Sequence, residues 1–367
     1  MTSVTILKGE NTTFLPKNLQ SVSEAETVQS PEKLAPAKAK QTVFFRNPPR
    51  ICAGAAVVTQ READGPVGEY FSSVVDSKMG EKNFETAEIR MLKEAVTSAA
   101  AKAGLWPREL DLLLAGDLLN QITSSSYVAR DLGIPYMGLY SACATMTQAL
   151  ALAAALLDAG CFTNIACATA SHFSTAERQY RYPLEYGAQR PPYAQWTVTG
   201  AGCSIVSSSA EHGPRITAAT FGKAVDFGVN DISNMGAAMA PAAMDTLYTM
   251  LRETGLSPSD FDLILTGDLG KLGSDILRDL MREQGIELGQ NYSDCGTLIY
   301  DNTQKVYQGG SGAGCSASVF NSYILDRFLK DCYSRIAFLA TGALMNPQST
   351  YQGETIPCIS HAVIIEK

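Results

Sequence analysis

The sequence is short of most features that mark a specialised class. It has no apolar run near the roughly 20 residues that a helix needs to cross a bilayer. The most apolar stretch, ALALAAALL at residues 149–157, stops at Asp158. No C-x-x-C pair occurs among the nine cysteines, and their number is odd. That spacing argues against a zinc site or a disulfide framework and for reduced thiols used as small core residues. Nor is there a basic stripe: the net charge is −8, which gives no footprint for nucleic acid. The N-terminus lacks the charged-then-apolar layout of a secretory signal. These absences predict a soluble protein on the cytoplasmic side of a membrane, attached to it, where attached at all, through a partner. Histidine is scarce too, with His172, His212 and His361 as the whole supply.

What is present reads as an ordinary globular protein. Of 367 residues, 46% are hydrophobic, enough for two or three average domains or one large α/β unit. Residues 1–42 differ: SVSEAETVQSPEKLAPAKAKQ is rich in Ser, Glu, Lys, Ala and Pro, and reads as a flexible tail. Beyond it, helical and strand patterns alternate. AEIRMLKEAVTSAAAKAGL has helical spacing and stops at Gly104, DLLLAG is a buried strand, and TSSSYVARDLG a second helix. PYMGLYS, ATMTQALALAAALLDAG and NIACATAS continue as strand, hydrophobic helix and strand. The alternation predicts a largely parallel sheet covered by helices.

The pattern is written twice. GLWPRELDLLLAGD from Gly104 matches GLSPSDFDLILTGD from Gly255, YSAC (140–143) matches YSDC (292–295), and CFTNIACATAS (161–171) matches CYSRIAFLATG (332–342). Three collinear matches indicate duplicated halves within one chain. We place them at residues 43–212 and 213–367.

Two βαβαβ halves, the first with a cysteine opening a buried helix, resemble the thiolase and β-ketoacyl synthase superfamily. AGLWPRELDLLLAGD, MGAAMAPAAMDTLYTMLRETGLSPSDFDLILTGD and the glycine-containing strand TVTGAGCSIVSSS carry the likeness. It implies a layered αβαβα fold with pseudo-twofold symmetry, and a dimer. Within the superfamily, SHFSTAERQYRYPLEYGAQRP (171–191), LILTGDLGKLGS, GGSGAGCSA and ATGALMNP resemble a family of sporulation proteins. That family is linked to uptake of dipicolinic acid into the forespore through a membrane complex, so the resemblance implies dipicolinic acid and the subunits of that complex as partners. It also implies a place at the inner face of the spore membrane.

A condensing enzyme needs a cysteine thiolate at a helix N-terminus and basic or amide partners to drive proton transfer. Cys143 in SACATM meets the first requirement, and is otherwise a small residue in a tight turn. The partners are missing: LTGDLG places Gly267 and Asp268 where family enzymes carry a histidine, and GGSGAGCSA has neither Asn nor His. His212 reads as surface and His361 as a structural residue of the last strand, which leaves His172 as a pocket candidate. Dipicolinic acid is a planar dianion suited to Arg forks and aromatic faces. AERQYRYPLEYGAQR offers Arg178, Arg181, Arg190, Tyr180, Tyr182 and Tyr186, for ligand or for a subunit interface. Asp117, with Asn120 just beyond it, and Asp268 end the two matching strands, where α/β sheets bind ligands. Either they hold calcium that bridges to the ligand, or each caps the helix that follows. The expectation is therefore a ligand-binding protein without enzymatic activity or an intrinsic cofactor. The alternatives are an acyltransferase using Cys143 and a purely structural subunit.

Overall fold

Leu112–Gly116 and Leu263–Thr266, the cores of the two matching phrases, are buried at every residue. Each lies between two parallel neighbours, and helices cover the sheets on both faces, so neither strand has a polar side. The structure is a computed structural model and describes residues 40–120, 122–180 and 190–367; Lys40–Lys367 form one unit.

The first run of elements is β1 (Thr42–Phe44), β2 (Arg50–Thr59), α1 (Gln60–Ala63), β3 (Ser73–Val75), α2 (Phe84–Lys102), β4 (Leu112–Gly116), α3 (Thr123–Leu132) and β5 (Tyr136–Gly138). It continues through α4 (Thr145–Asp158), β6 (Asn164–Ser171), α5 (Phe173–Tyr180), β7 (Trp196–Thr197) and β8 (Gly200–Ser207). The second run is β9 (Arg215–Phe221), α6 (Met235–Thr254), β10 (Leu263–Thr266), α7 (Gly270–Glu283), β11 (Tyr292–Asp294) and α8 (Cys295–Leu298). It ends with β12 (Gly310–Ser311), α9 (Ala313–Val319), α10 (Leu325–Leu329), β13 (Arg335–Ala343), α11 (Pro347–Tyr351) and β14 (Cys358–Glu366).

Strand order shows the duplication directly. β5-β4-β6-β8-β2 in the first run recurs as β11-β10-β13-β14-β9 in the second. In each, two pairings are parallel and two antiparallel, at the same places. The largely parallel sheet expected from the alternation is therefore correct for four strands of each five, which run in one direction, with β8 and β14 reversed. β8 and β14 return antiparallel to β6 and β13, and an antiparallel neighbour needs no helical crossover. The two five-strand sets meet at one pairing, Arg50 with Arg215, reinforced by β1 on β9.

The expected αβαβα layering is present. α2 packs on β2, β6 and β8, and α6 on β9, β13 and β14, each on the outer face of its own sheet. Between the sheets lie α4, which reaches β9, β13 and β14, and α9, which packs on β2, β6 and β8. Composition explains the exchange: α4 is nearly all Ala, Leu and Thr, and every residue of α9 is buried. Small side chains let the layers approach closely. Gly202 in the TVTGAG strand is one such contact, since a Cβ there would stand 2.3 Å from the Ala317 carbonyl of α9.

The expected tail ends slightly early. The Gln41 and Thr42 N–H groups donate to Glu253 at 3.1 and 2.7 Å, while the tail up to residue 39 lies outside the described residues. Among the described residues no helix is long and apolar enough to cross a membrane.

Candidate functional site at Cys143

β5 ends at Gly138, and a single 3-10 turn, Ala142–Ala144, carries Cys143 to the N-terminal end of α4. Ala142 adopts φ +49°, a left-handed conformation that an alanine rarely takes without tertiary support. Support comes from the other half. Gly342 of β13 lies so close that a Cβ would sit 1.9 Å from the Ser141 carbonyl. The Ser141 hydroxyl also donates to Gln148 at 2.6 Å.

Beside Cys143 is a cavity of about 50 Å³, room for about four waters. Its wall is mostly apolar, with Leu118, Ala176, Met235, Met239 and Met345, and Tyr180, Thr197 and Ser311 add hydroxyls. A second small cavity, touched by Asp117 and Tyr140, shares Tyr180, Ala343 and Met345 with it. An open groove follows, lined by Asn120, Tyr140, Met345 and Tyr351 among others. Each shares lining residues with the next, so the three lead from the surface to the sulfur. Among the described residues that line the inner cavity there is no arginine or lysine.

The two matching aspartates take different roles. Asp117 accepts from the Ser125 N–H and hydroxyl, both at 2.7 Å, in the first turn of α3, and from the Leu119 N–H at 3.0 Å. It is the helix cap expected of it. Asp268 is not. Its Oδ2 accepts from the Gly312 N–H at 2.8 Å and the Ser311 hydroxyl at 3.3 Å, its Oδ1 has no hydrogen-bond partner among the described residues, and the Cys143 side chain lies beside it. The N-terminus of α7 is capped instead by Asp294, which accepts from Leu269 and Gly270 N–H at 2.9 and 3.0 Å. The reason is a single difference between YSAC and YSDC: the second copy has Asp294 where the first has Ala142. With its capping duty taken over, Asp268 turns to Gly312 and Ser311, beside the cysteine. Burial pushes its acid up to about 7, against the donors that favour the carboxylate.

No metal arrangement joins the two. Among the described residues no group of three or more His, Cys, Asp or Glu is placed to hold an ion, and the two carboxylates accept from separate sets of donors.

The remaining candidates scatter. His172 is buried, its Nε2 bonded to the Ser77 carbonyl at 2.8 Å and its ring packed on Phe84, away from the cavity lining. Burial lowers its pKa. His361 accepts from the Gly222 N–H through Nδ1, and burial drives it down to about 4. Arg178 pairs with Glu85 at 3.3 Å near the surface. Arg190 lies over Trp196, 4.8 Å from the ring centroid, and Arg61 lies against the same ring at 3.9 Å. Asn120 lines the outer groove and donates its N–H to Gln179. Arg181, Tyr182 and Tyr186 lie outside the described residues.

One group escaped the sequence reading. Glu88 of α2 is fully buried, accepts from Thr175 at 2.8 Å, and is pushed up to about 8 by burial and by the neighbouring Asp117. Its signal was a charge on the apolar stripe Ala87, Met91, Leu92 and Ala95.

Fold and site define the class: a thiolase-like protein with a cysteine at the head of its central helix and no histidine beside it. Solved structures of this fold superpose along nearly the whole chain. For 3-oxoacyl-[acyl-carrier-protein] synthase III from Aquifex aeolicus VF5 the TM-score is 0.53 at 14% identity, covering 87% of this chain and 100% of that one. For cerulenin-bound OleA from Xanthomonas campestris it is 0.54 at 14% identity, covering 88% and 98%. Sequence narrows the class further. The family model for stage V sporulation protein AD matches residues 39–366. Stage V sporulation protein AD of Bacillus subtilis (strain 168) is 43% identical over 329 residues, 89% of this chain and 97% of that protein. The chain belongs to the stage V sporulation protein AD family.

Proposed function

We propose that the chain is a non-condensing ligand-binding protein of sporulation, with dipicolinic acid as its ligand and a membrane transport complex as its partner. The observation that carries the non-condensing part is the neighbour of Cys143: a buried aspartate, with none of the three histidines lining the cavity. Condensation needs a group that polarises a thioester carbonyl and one that moves a proton at the reacting carbon. The aspartate can move a proton, but among the described residues no histidine, lysine or arginine lines the inner cavity to polarise the carbonyl.

The ligand is argued from family membership and from shape. A tyrosine and three methionines line the inner cavity and suit contact with a ring edge, and its hydroxyls suit carboxylate oxygens, but at about 50 Å³ it takes only part of the ligand, with the rest in the adjoining cavity and groove. The dianion still needs positive charge. Arg178 and Arg190 are engaged elsewhere. Arg181, next in sequence to Tyr180, is the remaining arginine of that segment.

Calorimetric titration with dipicolinic acid, in chelator and again with calcium, tests this. The expected result is saturable one-site binding in both conditions, weakened about tenfold or more in Arg181→Ala, as for loss of one charge-assisted pair. Absence of heat and of competition in the wild type sinks the ligand. A stable acyl adduct on Cys143 after incubation with acyl-CoA, seen by mass spectrometry, sinks the non-condensing reading.

A further inference from the structure

We propose that the body of the ligand's ring sits in the open groove outside the inner cavity, between Tyr140 of the first half and Tyr351 of the second, an inference that rests on the ligand reading above. The groove is then a neutral slot for a planar aromatic carboxylate, with Tyr140, Tyr351 and a row of amides as its selective residues.

Size points outward. The cavity at Cys143 holds about 50 Å³ and the one touched by Asp117 about 20 Å³. A dicarboxylate of about twelve heavy atoms needs on the order of 150 Å³, at roughly one water-sized volume per atom. The groove offers about 850 Å³ and shares Tyr140, Leu344 and Met345 with the second cavity. A ring seated there keeps one edge toward the interior.

Both tyrosines are placed by their own elements. YSAC and YSDC set tyrosines at 140 and 292, and the two copies go opposite ways. Tyr292 is 6% exposed, its hydroxyl 2.9 Å from that of Thr266 and 3.0 Å from that of Ser274. Tyr140 is 52% exposed and donates to Asn120 Oδ1 at 3.4 Å. Tyr351 ends α11, whose start is encoded locally: Asn346 accepts from the Ser349 N–H at 2.9 Å, and Pro347 takes the first helical position. At 75% exposed, Tyr351 is the most exposed large hydrophobic side chain among the described residues. Two bare rings from different halves line one groove, and a flat ligand covers apolar area that water otherwise meets.

The polar lining suits the ends of such a ligand. Asn120, Asn346 and Gln348 bring primary amides to the groove. Asn120 and Asn346 accept their bonds on Oδ1, which leaves each Nδ2 as a donor. Among the described residues that line the groove none is charged. Amide donors hold carboxylate oxygens without an ion pair, and the aromatic faces hold the ring. Such a slot selects strongly for flatness and only weakly for charge.

Calorimetry on the full chain tests this with two probes, dipicolinic acid and cyclohexane-1,3-dicarboxylic acid. The second carries its two carboxyls on a puckered ring. Wild type should bind the flat acid about tenfold or more tightly than the puckered one. Tyr351→Ala should weaken binding of the flat acid by about three- to tenfold, and Tyr351→Phe should restore it. Gln348→Glu should weaken binding by about threefold and Gln348→Lys strengthen it by about threefold, opposite signs that a structural role would not give. Tyr351 and Gln348 are exposed, so these variants keep the fold. Trp106→Ala, exposed but outside the groove lining, should bind as wild type does. Where wild type binds dipicolinic acid, equal affinity for the two acids overturns the proposal, and so does unchanged affinity in Tyr351→Ala. Shifts of the same sign in the two Gln348 variants overturn it as well. Absence of binding by wild type overturns the ligand reading itself, and this seat with it, so the two failures are distinct.

Discussion

Buried acids are the most consequential residues of this chain, and each has a different excuse for being inside. Asp117 and Asp294 cap helices, Asp268 faces a thiol, and Glu88 sits beside Asp117 with Thr175 as a donor. Glu88 gives the cleanest prediction at this scale. Its acid stands near 8 in the fold against 4.5 unfolded, so the folded state holds a proton that the unfolded chain lacks between those values. Its contribution to stability is full below the unfolded value and is lost as pH rises through the folded one. Glu88→Gln cannot ionise. Its urea midpoint should therefore fall less between pH 6 and 9 than the wild type's; an equal fall in both would refute the assignment. The sequence could have disclosed this residue, because a glutamate on an apolar helical stripe is visible without coordinates. Asp268 was not legible in that way. Its local phrase is almost the same as that of Asp117, and the deciding difference lies 26 residues on, at Asp294.

At the scale of elements, the site is a turn from one half held by strands of the other. β13 presses Gly342 against Ser141, and β12 brings Ser311 and Gly312 to the cavity. α7 depends on Asp294 in the same cross-element manner, since its cap comes from β11 and not from the residue before the helix. Asp294 also accepts from the Thr266 hydroxyl at 2.7 Å and the Thr297 N–H at 3.2 Å. Asp294→Ala thus strips several buried donors at once and should lower stability by about 2 kcal/mol or more, at the upper end of cap losses. Asp117→Ala should behave as an ordinary cap deletion, near ~1 kcal/mol. Equilibrium denaturation of the two variants side by side checks the order; equal losses would contradict the division of roles. The strands and helices themselves were largely legible. Hydrophobic period and turn residues act over a few positions, which is why β4, α4, β6 and their second-half counterparts fall where the pattern predicts. The antiparallel return of β8 and β14 was not legible, because strand direction is set by where a chain docks and not by its own pattern.

For the whole molecule, the buried acids act together. Glu88 near 8, Asp268 near 7 and Asp294 near 6 all bind protons in the fold that the unfolded chain releases earlier. Their contribution to stability should therefore decline as pH rises from about 4 to 8. His361 has the opposite sign on the acid side: buried and driven down to about 4, it supports the fold above its unfolded value near 6.5 and withdraws that support as pH falls toward 4. Between about pH 4.5 and 6 the three acids outweigh the one histidine, so melting temperature should peak at pH ~5 or below, and a peak at about pH 8 or above would show that the acids are not held protonated. Duplication shapes the molecule at this scale too, since each half lends a helix to the other's sheet, α4 one way and α9 the other.

Three features belong to the sequence alone: the doubled topology, the cysteine at the head of a buried helix and the shortage of histidine. All three are properties of local pattern or of composition, which no packing can alter. Packing settled which of two near-identical aspartates caps a helix and which turns to Ser311 and Gly312 of another strand. It also made the cavity apolar and drew Arg178 away to Glu85. Those outcomes are choices among partners distant along the chain. A buried polar group takes whichever donors the packed halves bring within reach, and nothing in a nine-residue phrase records who they will be.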